Sequence, residues 1–148
     1  MFKKILVPLD GSKLAESALE HAEKLAKAFE TELIVIRVLQ AKPEVIAGPR
    51  ALVSHEPEIQ EQREAEIYLN RVRGKLRGHQ LPARILLLKE QPPAQAIVGI
   101  AYQEKVDLIV MSTRPHAGLS RLMHSSVAEE VLRHAPCPIF LIRATSTG

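Results

Sequence analysis

Five short runs of apolar, β-rich residues divide this chain, and segments of helical period fill the gaps between them. The runs cover residues 3–9, 31–39, 82–88, 106–111 and 138–143. After the first, Leu14, Ala18, Leu19, Ala22, Leu25, Ala26 and Phe29 recur at helical spacing. Residues 56–78 give a long second helix, with Ile59, Ile67, Leu69, Val72 and Leu76 as its apolar positions. Residues 93–103 give a third, with Pro93 tolerated in the first turn. Ser126-Val-Ala-Glu129 reads as a capping box opening a fourth helix through His134. Pro43, Gly48 and Pro49 mark residues 40–55 as a long loop.

Strict alternation of strand and helix, with strands apolar nearly throughout, predicts a parallel sheet covered by helices and joined by right-handed crossovers. The fold class is α/β. The 148 residues suit one domain spanning 1–148, with residues 144–148 expected as a frayed tail. At 46% hydrophobic and 25% charged residues the composition is that of a globular protein, and no apolar run is long enough to span a bilayer. The opening residues turn acidic too soon for a signal peptide, and Cys137 has no second cysteine to pair with. A cytoplasmic location is therefore expected.

The net charge of +3 is modest, and the two Tyr and three Phe do not interleave with any basic cluster. That argues against nucleic acid as a partner. Arg71, Arg73, Lys75 and Arg77 close a helix whose first turns hold Glu56, Glu58 and Glu61, a polarity that complements the helix dipole.

Several stretches carry a resemblance over almost the full chain: Ile5-Leu-Val-Pro-Leu-Asp10-Gly-Ser12, Val106-Asp-Leu-Ile-Val-Met111, Gly118-Leu-Ser-Arg121, and Ser126-Val-Ala-Glu-Glu-Val-Leu-Arg-His-Ala-Pro-Cys-Pro-Ile139. Through them the sequence resembles the universal stress protein family. The resemblance implies an open, doubly wound, five-stranded parallel sheet of order 3-2-1-4-5, with helices on both faces, of the adenine nucleotide alpha hydrolase-like type. In that order a crevice opens at the carboxyl ends of strands 1 and 4, where such sheets bind ligands. The residues it would place there are Pro8, Asp10, Val38, Met111, Ser112, Gly118, Ser125, Ser126 and Val127. The resemblance also implies a homodimer paired along the last strand, Ile139–Arg143.

Nucleotide-binding members carry Gly, two residues, Gly, nine residues, Gly, then Ser or Thr. Here those positions hold Ser112, Pro115, Ser125 and Ser126, so only the last agrees. Glycines in a phosphate cradle supply positive φ and close backbone approach. Pro115 has no N–H to offer and a fixed φ. Losing two or three charge-assisted hydrogen bonds, each on the order of 1.5–3 kcal/mol, moves a micromolar site toward millimolar. In favour of an anion site, Arg114, His116, Arg121 and His124 make the loop cationic, and Ser125 and Ser126 stand at a helix start.

Other chemistry finds little footing. His116 and His124 have no metal-ligand spacing to a Cys or carboxylate pair. Cys137, between two prolines at a strand entrance, suits a small buried hydrophobe better than a nucleophile. Neither a Gly-x-Ser-x-Gly elbow nor a P-loop lysine motif occurs. Strand 3 runs into Lys89-Glu90 rather than an acidic cluster. The expectation is a non-catalytic stress-response regulator acting through protein partners as a homodimer, with no catalytic or metal residues. The alternative is an ATP- or AMP-binding switch, with Mg²⁺ and weak affinity. An ATPase using Asp10 as base is the third reading.

Overall fold

The computed structural model describes residues 2–40, 56–89, 91–113 and 127–143. Strands β1 (Lys4–Pro8), β2 (Glu32–Leu39), β3 (Ala83–Lys89), β4 (Leu108–Thr113) and β5 (Ile139–Arg143) alternate with helices α1 (Lys13–Phe29), α2 (Glu56–Gly78), α3 (Pro93–Gln103) and α4 (Val127–His134). The strands form one parallel sheet in the order β3-β2-β1-β4-β5, as expected.

Period-two alternation splits the core in two. Ile5, Val7, Leu33, Val35, Leu108 and Val110 pack with α1 and with Leu69, Val72 and Leu76 of α2. Leu6, Ile34, Ile36, Ile109 and Met111 pack with Ala94, Ile97 and Ala101 of α3 and with Ala128 and Val131 of α4. Consecutive strands stepping outward from β1 in both directions require this two-sided layering when crossovers are right-handed. Central strands are buried on both faces. Edge strands β3 and β5 are only half-buried, since each has a single neighbour.

The turn after β1 is built locally. Asp10 Oδ1 accepts the Ser12 N–H at 2.9 Å, and Ser12 Oγ accepts the Ala15 N–H at 3.1 Å as N-cap of α1. Gly11 between them has φ +87°, a conformation that favours glycine. At the opposite end of the sheet, the Asp107 carboxylate accepts the N–H groups of Lys3 and Lys4 at 2.8 and 2.9 Å. These bonds hold its carboxyl below the usual range.

Three expectations need correction. The fourth strand does not span 106–111 but runs through Ser112 and Thr113, which face Ile142 and Arg143 in the ladder. Val106 and Asp107 belong to the preceding turn. In α2 the buried stripe is Ala65, Leu69, Val72 and Leu76, whereas Ile59 and Ile67 are 55% and 54% exposed. Ile67 lies about 200° around the helix axis from Ala65 and so faces away from the sheet. Phe29 of α1 is likewise exposed, its ring meeting Phe2 edge-on at 5.4 Å.

Candidate functional site: the crevice between β1 and β4

The β1–β2 ladder continues to Pro8↔Ile36, but β1 pairs with β4 only at Ile5↔Leu108 and Leu6↔Ile109. Beyond Leu6 the chain of β1 leads to α1 on one face, and the chain after β4 leads toward α4 on the other. The sheet parts at its carboxyl edge, between the strands where its winding reverses, and this is where open α/β sheets receive ligands.

Of the expected crevice residues, Pro8, Asp10, Val38, Met111 and Ser112 all lie at or just beyond the carboxyl ends of β1, β2 and β4. Pro8 is half-buried at the end of β1, and Asp10 is exposed in the turn that caps α1. Val38 and Met111 belong to the core face shared with α3 and α4, Met111 buried and Val38 half-buried. Val127 begins α4 and is 37% exposed. Gly118, Ser125 and Ser126, with Pro115, lie outside the described residues, as do the capping box at Ser126 and the tail 144–148.

Ser112 is informative. A glycine that opens a phosphate loop is needed for left-handed or tightly approaching backbone. Ser112 is instead a strand residue, half-buried and laddered opposite Ile142. The backbone here is extended, and among the described residues the non-glycine positive-φ positions are Glu30, Gln80 and Lys105.

One site feature had no counterpart in the sequence reading. Arg37 precedes Val38 on β2 and faces the α1–α2 side. Its guanidinium lies 5.8 Å from the Tyr68 ring centroid and packs directly under Gly11. Among the described residues its buried Nε and Nη1 have no hydrogen-bond acceptor. Tyr68 OH donates to Glu16 Oε1 at 3.4 Å, and burial, reinforced by the Glu16 charge, pushes its hydroxyl up to about 12. The signal was present in the sequence as a lone arginine among the apolar residues 33–39.

Cys137 is half-buried against the α3–α4 core, and burial followed by the Asp107 charge raises its thiol above the ordinary value. It is therefore a poor thiolate nucleophile. Among the described residues no group of three His, Cys, Asp or Glu side chains is arranged to hold a metal. No described helix is long and apolar enough to cross a membrane.

The sequence profile of the Universal stress protein family matches residues 1–143. The chain belongs to the universal stress protein family. It is 36% identical over 146 residues to Universal stress protein MJ0531 of Methanocaldococcus jannaschii, covering 97% of this chain and 83% of that one. A universal stress protein of Thermus aquaticus is 33% identical, with 97% and 100% coverage. The solved structure of MJ0577 superposes with a TM-score of 0.79 at 25% identity, covering 99% of each chain. The universal stress protein fold thus accounts for sheet order and crevice alike.

Proposed function

We propose that this universal stress protein is a non-catalytic regulator of the stress response, working as a homodimer, with a crevice that does not hold ATP tightly. The observation that carries the crevice reading is Ser112 in the β4–β5 ladder, extended where nucleotide-binding members open their loop with glycine. Pro115 and Ser125 replace the remaining two glycines. What supports the dimer is the position of β5 at the sheet edge with Phe140 44% exposed on it. An apolar edge strand is a liability unless paired, and antiparallel pairing across a two-fold axis satisfies it. The absence of a catalytic role is supported by Asp10, whose Oδ1 is engaged in capping the turn after β1. Denaturing the purified protein and analysing the supernatant tests the crevice reading: no adenine nucleotide is expected, and stoichiometric release contradicts it.

A second reading, an ATP- or AMP-binding switch, is favoured by the gathering of Pro8, Asp10, Val38 and Met111 at the parting of β1 and β4. Solved structures of this fold are of complexes with cAMP, at 17% identity and TM-score 0.76, and with dAMP, at 21% identity and TM-score 0.66. Under this reading the nucleoside sits near Asp10 and Val38 while phosphate contacts are weak.

A further inference from the structure

Away from the strand ends, a cleft of about 310 Å³ lies between the later turns of α1 and the end of α2, lined by Glu20, Glu23, Lys24, Lys27, Lys75 and His79. The four α1 residues recur at i, i+3, i+4 and i+7 and so share one helix face, while Lys75 and His79 stand four apart across from them. Every lining side chain is ionisable. The aliphatic stems of these side chains form part of the wall, and their six charged or polar ends suit a charged occupant.

Glu23 is only 7% exposed, and its Oε2 lies 2.7 Å from His79 Nδ1. Its other oxygen, Oε1, is buried and among the described residues has no hydrogen-bond partner. A buried acceptor left unmet is costly, and natural structures normally supply a donor. At the rim the situation is inverted, since none of Lys24, Lys27 and Lys75 is ion-paired among the described residues. The helix dipole accounts for Lys27 and Lys75 in the last turns of their helices. It gives no account of Lys24 or of the unpartnered oxygen on Glu23.

We propose that this cleft binds a small phosphomonoester bearing an ammonium or hydroxyl group. The phosphate sits among the three ammonium groups, and the donor reaches Glu23 Oε1. His79 acts as a positioning residue that anchors the carboxylate through Oε2. The volume is at the small end of ligand pockets, which favours a metabolite over a peptide.

The test is an amide NMR titration of the full chain with O-phosphoethanolamine, with inorganic phosphate and ethanolamine as single-group controls. Saturable shifts are expected in residues 20–27 and 75–79, with O-phosphoethanolamine bound roughly tenfold more tightly than phosphate or ethanolamine. Lys27→Gln combined with Lys75→Gln should weaken both phosphate ligands about tenfold. Glu23→Gln should reduce O-phosphoethanolamine to the affinity of phosphate. The lysine pair is exposed and keeps the proposal testable if Glu23→Gln does not fold. Absence of shifts in these segments, equal affinity for all three probes, or shifts indifferent to the lysine changes would overturn the proposal. So would tighter binding of an acidic hexapeptide than of O-phosphoethanolamine.

Discussion

Arg37 Nη1 lies 2.8 Å from the position that a Cβ on Gly11 would take, so the guanidinium of β2 occupies the space that glycine leaves in the turn after β1. Two requirements coincide on Gly11: a φ of +87° and the absence of a side chain above Arg37. Gly11→Ala is expected to lose about 1–2 kcal/mol from backbone strain alone, and more from the clash. In an Arg37→Met background the flexible thioether yields, so the same Gly11→Ala step should cost less. Urea unfolding of the four proteins of this cycle gives the answer. An equal loss in both backgrounds would mean that the two residues do not interact.

Asp107 ties the start of β1 to the turn before β4 through two backbone N–H groups. Asp107→Asn should destabilise by roughly 1 kcal/mol at neutral pH, as expected when hydrogen bonds to a charged acceptor weaken. The folded carboxyl titrates below its unfolded value of 3.8. Its contribution is therefore complete above pH 3.8 and vanishes as pH falls through the lower folded value. Stability curves of wild type and Asp107→Asn should converge in acid. A gap that stays constant with pH would remove the carboxylate's charge from the explanation.

Ile109 and Ile67 separate buried from exposed isoleucine. Ile109 is fully buried between α3 and α4 and the sheet, and Ile109→Ala should cost about 2–5 kcal/mol. Ile67 is 54% exposed, and Ile67→Ala should stay within about 0.5 kcal/mol. Thermal or chemical unfolding of both variants checks the assignment of the α2 face, and comparable losses would refute it.

The strands and helices were legible because periodicity is a local property, two residues in strands and 3.6 in helices, whereas the strand order was legible only through the family resemblance. The errors have non-local causes. Ser112 and Thr113 are polar and look like loop, yet pairing with Ile142 and Arg143 extends β4 through them. Ile59 and Ile67 attract attention by size, whereas the true stripe of α2 begins at small Ala65. Ala15 of α1 is buried for the same reason, and Glu23 falls on the buried stripe four residues after Leu19. The crevice was legible from topology, because a switch point follows from strand order. The Arg37–Gly11 packing was not, because it joins β2 to the turn after β1 through a side chain that only the assembled sheet positions.

Phe140 is 44% exposed on β5, and its ring lies 6.1 Å from that of His21. The proposed dimer continues the sheet across this edge. Ile139→Pro should remove a ladder donor and yield monomer or aggregate by light scattering. Phe140→Glu should shift the dimer toward monomer without unfolding the core. A dimer of unchanged mass in both variants would place the interface elsewhere.

The extended backbone at Ser112 and the loss of three glycines lead to one central claim, that phosphate is poorly held. Restoring Gly at 112, 115 and 125 together should raise nucleotide affinity, and no gain would mean that the crevice is closed for another reason. The most direct measurement is calorimetric titration of the wild-type protein with ATP and Mg²⁺. The account predicts no saturable heat, or a Kd on the order of millimolar, from the loss of two or three charge-assisted hydrogen bonds. A micromolar Kd would contradict it and make this protein a nucleotide switch.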